Sequence, residues 1–247
     1  MITVSNPVPC RNCPLAKCSG LVPHSPDEIP HIERFKIGEI QVERGEVLIE
    51  QEITRGGLYT LLSGAMMRYR TMEDGRRQIV NFMFPGDLVG LESSFSQAAT
   101  HSVEALTTAR LCVFDSARYY ELIVAQPSLG YDITWLAAKE ETALEEHLVA
   151  LGRRSARERV AYLAIWLWFR ARGSCMTEGT RLDISITQAQ IADMLGLSLV
   201  HTNRTVKALD RDGIVRWRQQ SIEITNFAAA IDVAHYEEAT VKPRPYL

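Results

Sequence analysis

The chain has 247 residues, enough for one or two domains with a buried core of ordinary size. Apolar residues make up 46% and charged residues 23%, the balance of a soluble globular protein, which excludes a disordered chain. The formal net charge of −3 hides an asymmetry: Gly152–Arg218 holds 12 Lys and Arg against 6 Asp and Glu, and the remainder holds 15 basic and 24 acidic residues. A basic C-terminal third on an acidic body points to a polyanion as the partner of that third. Met1–Pro9 has no charged run and no apolar core, so no secretory signal is read there, and the longest apolar stretch, Val160–Phe169, is about half of a bilayer span. A cytoplasmic location without a membrane partner is expected. In that reducing compartment, five cysteines more often bind metal or sense redox state than form disulfides.

From about Ile40 to Phe114, short runs of strand character are punctuated by Gly45, Gly56, Gly64, Gly75 and Gly86. Val47–Ile49, Leu58–Leu62 and Ile79–Phe84 are the strand candidates, and Asp74-Gly75 is a hairpin turn signal because a tight primed turn needs positive φ. This spacing predicts an antiparallel β-barrel or roll. After Pro127 the period changes to that of a helix over Ser128–Leu151, with an apolar stripe of Ile133, Ala137, Leu144, Leu148 and Leu151 interrupted at Glu140 and Glu141. A helix of about 24 residues is too long for a connector and predicts dimerisation along that stripe, the alternative being that it packs on its own sheet. Gly152 ends it. Ser155-Ala-Arg-Glu158 is a capping box opening the next helix, whose Val160, Leu163, Ala164 and Leu167 face a core. A loop over Gly173–Gly179, a strand through Leu182, Ile184 and Ile186, and a closing hairpin of Ile214–Arg218 and Ser221–Thr225 complete an α+β chain. The expected division is 1–126, 127–152 and 153–247.

Between that strand and the hairpin lies a helix-turn-helix. Thr187-Gln-Ala-Gln190 is a second capping box, for a short helix to Leu195; Gly196-Leu197-Ser198 is the turn, and a second helix runs from Leu199 to about Arg211. Small Ala192 lets the two helices approach, and Gly196 supplies a backbone conformation that a side chain penalises. On the second helix Leu199, Thr202, Val206 and Leu209 form an inward stripe, while Val200, Asn203, Arg204 and Lys207 point outward. That outward set suits a DNA major groove: Arg204 for guanine, Asn203 for adenine or a phosphate, Val200 for a thymine methyl. His201, Lys207, Ser198 and Thr187 suit phosphates, and Arg216 and Arg218 would sit on a wing.

A glycine-punctuated roll, a long helix and a winged helix-turn-helix in this order resemble the CRP/FNR superfamily of bacterial transcription regulators. Phe84-Pro-Gly-Asp-Leu-Val-Gly90 and Ile191–Leu209 carry the likeness most specifically. The resemblance implies an N-terminal β-roll like a cyclic-nucleotide-binding domain, a homodimer on double-stranded DNA with a two-fold symmetric operator, and contact with RNA polymerase. A two-fold coiled coil presenting two heads leads independently to the same symmetry.

Cys10-Arg-Asn-Cys13-Pro-Leu-Ala-Lys-Cys18 is a thiolate cluster that could wrap round a metal centre, with Cys112 far off on a strand. The arrangement resembles the oxygen-sensing FNR branch, which implies a [4Fe–4S] cluster on Cys10, Cys13, Cys18 and Cys112. A structural zinc site would use the same four thiolates, and a thiol redox switch, or cysteines with no shared role and another small-molecule signal, are the further alternatives. Lys17 nearby favours thiolates, and Cys175 has no partner in sequence. Departures from the branch stand out: the Cys13–Cys18 spacing is short, Val200 and Asn203 replace two of its reading residues, and Leu144 stands where its long helix carries an acid. The operator is therefore not expected to be the standard FNR site, and the dimer is expected to persist without a cluster.

No cyclic nucleotide is expected. Gly86–Glu92 partly resembles half of a phosphate pocket, but Thr100-His101-Ser102 offers no arginine for the anion. His101, His147 and His201 lack a neighbouring nucleophile or carboxylate in the pattern that catalysis needs, so no enzyme is read here.

Overall fold

The structure is a computed structural model that describes residues 1–54, 57–95, 98–237 and 242–247; Gly56 of the expected punctuation lies outside the described residues. The N-terminal half contains β1 (Ile2–Thr3), two 3-10 turns over Cys10–Asn12 and Pro14–Lys17, α1 (Ile29–Phe35), β2 (Lys36–Val42), β3 (Val47–Ile49), β4 (Leu58–Ser63), β5 (Met66–Thr71), β6 (Arg77–Met83), β7 (Leu88–Val89), β8 (Ser102–Ala105) and β9 (Ala109–Phe114). They form two sheets, ordered β1-β2-β9-β4-β7 and β3-β8-β5-β6, whose pairings are antiparallel. Alternation along each strand sends Val42, Leu61, Met66, Val103 and Leu111 into a shared interior. The Asp74-Gly75 hairpin is present, with Gly75 at φ +81°, but it joins β6 to β5, a strand absent from the expected set. In β5 only Met66 and Met67 are buried, so the polar run Arg68–Thr71 masks its alternation.

The second half holds α2 (Tyr119–Ala125), α3 (Pro127–Arg153), α4 (Ala156–Gly173), β10 (Thr177–Glu178), β11 (Arg181–Leu182), α5 (Gln188–Leu195), α6 (Leu199–Arg211), β12 (Val215–Arg218), β13 (Ser221–Ile224) and α7 (Phe227–Ala234). Gly152 does not end α3: the helix runs one residue further, and the Ser155 capping box then starts α4, the serine hydroxyl accepting from the Glu158 amide. The α3 stripe divides. Ile133 is corrected, because it is buried in its own chain with Leu122 and Leu129, and Leu151 is half-buried facing Gly196 of the turn. Ala137 and Leu148 are exposed and Leu144 is 38% exposed, so the outward apolar surface is these three with Tyr131 and Val149. The gap at Glu140 has a physical cause: its carboxylate pairs with Arg68 and accepts from Asn81 Nδ2 at 2.7 Å, both on the roll.

Helix α4 is the hub. Val160 to Trp168 are all buried, between roll residues Met67, Ile79, Phe82 and Phe84 and the residues of α5, α6 and α7. Each large side chain removed from water there contributes about 1.5–3 kcal/mol. Of the expected strand only Leu182 pairs, in β11 between β10 and β13; Ile184 and Ile186 bury their side chains outside the ladder. The hairpin β12–β13 forms as expected. Helix α5 rests on β6, where Arg77 Nε lies 3.1 Å from Asp193 Oδ2 and Gln78 Nε2 donates to the Met194 carbonyl at 3.0 Å. Among the described residues no helix is long and apolar enough to cross a membrane.

Candidate nucleic-acid interface and cysteine site

The turn between α5 and α6 is built by three local devices. Thr187 caps α5, its hydroxyl accepting from the Gln190 amide at 3.2 Å while Gln190 Oε1 accepts from the Thr187 amide at 2.8 Å. Gly196 sits in the left-handed region at φ +61°, ψ +36°, which closes α5 without the steric cost that a Cβ incurs. Ser198 caps α6 by accepting from the His201 amide at 3.2 Å. Arg159 of α4 fastens the end of α5, its Nη1 donating to the Leu195 carbonyl at 3.0 Å.

On α6, Thr202, Val206 and Leu209 are buried, but Leu199 is 54% exposed and is corrected from the inward stripe. At the first helical position the chain is still leaving the turn, so the side chain clears the core. Val200 is 71% exposed, and His201, Arg204 and Lys207 are exposed with it. Asn203 is half-buried and donates to Gln188 Oε1 at 2.7 Å, a partner on α5 that sequence spacing did not reveal. The wing arginines stand out from β12, yet both face acids: Arg216 lies 2.9 Å from Glu223 and 3.4 Å from Asp210, and Arg218 2.8 Å from Asp210. A phosphate at the wing must compete with Asp210, which the charge count did not single out.

The cysteines present a different picture. Cys10, Cys13, Cys18 and Cys112 all border one apolar cluster containing Phe35, Phe114 and Tyr246, so β9 does bring Cys112 to the N-terminal thiols. Cys18, however, is bonded to Cys175, whose role sequence reading left open, and Cys10, Cys13 and Cys112 are the free thiols. Burial pushes the Cys112 thiol up to about 12 and the Cys10 thiol up to about 11, against the pull of the Lys36 ammonium. Lys36, not the exposed Lys17, is the cation at these sulfurs, held at the site by the buried Glu39. Among the described residues no three of His, Cys, Asp and Glu converge as metal ligands. The expected ligand set is therefore corrected at Cys18, whose sulfur is taken by another bond.

A cavity of about 730 Å³ opens between the roll and α3, lined by Asp87–Glu92, His101, Trp135, Arg68, Arg170 and Arg244 among others. Arginines are thus present where the local sequence offered none, brought from β5, α4 and the C-terminal segment. Each already faces a carboxylate: Arg68 that of Glu140, Arg170 and Arg244 that of Asp87, both at 2.7 Å. His101 lies 3.6 Å from Glu92, His147 is buried beside Tyr162, and His201 is on the outer face of α6.

Residues 39–126 match the model of the cyclic nucleotide-binding domain and residues 158–229 that of the Crp-like helix-turn-helix domain. The chain is 32% identical over 210 residues to the nitrogen fixation regulation protein FixK of Bradyrhizobium diazoefficiens, covering 83% of this chain and 85% of that one. It is 28% identical over 229 residues to the transcriptional activator protein FnrL of Cereibacter sphaeroides, covering 91% of each. The solved structure of FixK2 from Bradyrhizobium japonicum superposes with a TM-score of 0.70 at 24% identity, over 81% of this chain and 98% of that one, a likeness of fold. Both named relatives are transcription regulators of this family and not enzymes. With its β-rich N-terminal half, long helix and capped helix-turn-helix, this chain belongs to the CRP/FNR family of DNA-binding transcription regulators.

Proposed function

We propose that the chain works as a homodimer on a two-fold symmetric operator, responding to oxygen or redox state through its N-terminal thiols. The observation that carries the reading is the capped, outward α6 with Val200, Arg204 and Lys207 exposed on one face. In this reading residues 1–126 sense, 127–152 pair with a second copy and 153–247 read DNA. Arg204 grips a guanine edge, Asn203 is steadied by Gln188 for a base or phosphate, and Val200 meets a thymine methyl. Thr187, Ser198, His201, Lys207, Arg216 and Arg218 supply phosphate contacts; the Ser198 hydroxyl accepts the capping bond and keeps its proton to donate. RNA polymerase is the partner that the family implies, in the compartment that holds the DNA.

For the signal, the thiols support a redox reading and the FNR-type relatives agree with it. A [4Fe–4S] cluster or a zinc ion on Cys10, Cys13, Cys18 and Cys112 needs four thiolates, and this arrangement leaves only three free. With the Cys18–Cys175 bond closed the residues do not fit either group, and the working groups in our reading are the thiols themselves. We infer no cyclic nucleotide in the cavity, because a phosphate there would have to displace Asp87 or Glu140 from the arginines they hold.

The test uses an operator selected from random duplexes at stated salt. Arg204→Ala is expected to cost about 1–3 kcal/mol of specific affinity and relax one position of the site, with the fold unchanged by circular dichroism. Unchanged affinity and sequence preference would remove α6 as the reading element.

A further inference from the structure

On one side of the molecule three distant parts of the chain meet along a seam. Gly20 lies back to back with Gly173 at the end of α4, so that a Cβ on Gly20 would come within 2.3 Å of the Gly173 Cα. Arg244 lies alongside: its amide donates to the Gly20 carbonyl at 2.9 Å, and its carbonyl accepts from the Val22 amide at 2.9 Å. Its guanidinium crosses to the roll, donating to the carbonyls of Pro85 at 2.9 Å and Gly86 at 3.1 Å. Beyond it, Tyr246 and Leu247 are buried in the cluster that holds the N-terminal thiols. The seam therefore joins the cysteine segment to the first helix of the DNA-reading half and to the C-terminal segment.

The Cys18–Cys175 bond spans this seam, with Cα atoms 5.4 Å apart across a sequence separation of 157 residues. The two sulfurs differ in surroundings. Cys18 is buried at 8% exposure, whereas Cys175 is exposed to solvent. Cys175 also has φ +59°, the left-handed conformation that glycine usually supplies just past a helix. Here the Met176 amide donates to the Ala171 carbonyl at 2.9 Å to close α4, and the cysteine in that bend is aimed back at the N-terminal segment. A glycine there would be easier for the backbone and could not form the bond. In a compartment holding DNA, thiols are kept reduced, and a disulfide there is usually transient and redox-sensing.

We propose that Cys18 and Cys175 form a reversible thiol–disulfide switch, oxidised by a hydroperoxide, which ties the N-terminal cysteine segment to the end of α4. The exposed Cys175 thiolate attacks one oxygen of hydrogen peroxide; the O–O bond breaks, a sulfenic acid forms, and the departing hydroxide takes up a proton as water. The Cys18 thiolate then attacks Cys175 Sγ, the S–S bond forms, and a second hydroxide leaves as water once protonated. Two thiols and one peroxide give one disulfide and two waters, the two electrons passing to the peroxide oxygens. A dithiol reverses the sequence. The proposal rests on the redox-responsive reading above, but it is independent of Cys10, Cys13 and Cys112.

Full-length protein reduced with dithiothreitol is compared with the same protein after one equivalent of hydrogen peroxide, beside Cys175→Ser treated alike. Expected in the wild type are a mass loss of about 2 Da, a linked peptide pair carrying Cys18 and Cys175, and a melting midpoint raised by about 5 °C that dithiothreitol reverses. Hydrogen exchange at residues 18–22, 173–176 and 242–247 should slow in the oxidised form. Cys175→Ser should melt like the reduced wild type in both treatments. Peroxide linking other cysteines, equal midpoints in the two wild-type forms, or the full shift in Cys175→Ser would each overturn the switch. DNA binding separates the two readings: if it responds to peroxide although no Cys18–Cys175 pair forms, this switch fails and the redox reading stands, and if the pair forms but DNA binding never responds, the redox reading fails and the switch stands.

Discussion

His147 shows how one side chain couples the α3–α4 junction to pH. It is 5% exposed, its Nδ1 lies 3.2 Å from the Tyr162 hydroxyl, and its ring packs edge-on to Trp166 at 4.7 Å. Burial, then the charges of Arg170 and Arg68, push its pKa down to about 4. The unfolded chain, with an ordinary histidine, binds a proton near pH 6.5 that the folded chain refuses. Stability from this residue is therefore intact above about pH 6.5 and is lost as pH falls towards 4. At pH 5 the loss from this residue is about 2 kcal/mol, and His147→Phe should lessen the decline in melting midpoint between pH 7 and pH 5, leaving the part due to His24 and His101, which burial likewise pushes down to about 4. An unaltered decline in that variant would place the proton uptake elsewhere. The sequence already marked His147 as a histidine without catalytic company, but its pKa depends on Trp166 and on arginines from two other elements, which spacing does not reveal.

At the scale of elements, Asp87 is the fastening between the roll, α4 and the C-terminal segment. Its Oδ2 accepts from the Phe84 amide at 2.7 Å and its Oδ1 meets both Arg170 and Arg244. Burial alone would raise its pKa, but the two guanidinium charges outweigh that and hold it below the usual carboxylate range. Asp87→Ala leaves two partly or fully buried cations without their counter-charge and should destabilise the protein by about 3 kcal/mol in urea unfolding. A change under about 1 kcal/mol would show that the cations relax into solvent. Elements built from neighbours in sequence were legible: both capping boxes and the Gly75 turn follow from residues within one turn of each other, and the exposed Val200, Arg204 and Lys207 of α6 from residues within about two. Strand β5 was hidden by Arg68–Thr71, and Leu199 was misplaced because helical periodicity does not mark where the first turn leaves the core. The Cys18–Cys175 bond and the Arg244–Asp87 pair were invisible, since pairing across some 150 residues is decided by how the whole chain closes.

The whole molecule is arranged so that one helix presents an uncovered apolar line while its other side is committed. Helix α3 buries Ile133 and fixes Glu140 to the roll, leaving Leu148 70% exposed, Tyr131 72% and Val149 54%. The stripe was legible as a period, but which half of it a second copy could reach depends on where the roll lies. If the proposed homodimer pairs along this line, Leu148→Glu should leave a monomer in sedimentation velocity, with helix content retained, because two carboxylates would then face each other. A dimer of undiminished affinity would move the pairing to another surface. The 27-residue length of α3 adds something about gearing. At 1.5 Å per residue it is a rod of about 40 Å, so a tilt of about 5° at one end sweeps the other through about 3.5 Å. That displacement matches the rise of one base step, about 3.4 Å, so in the proposed dimer the angle at which two copies cross along α3 would set the spacing of their heads to within one rung of duplex.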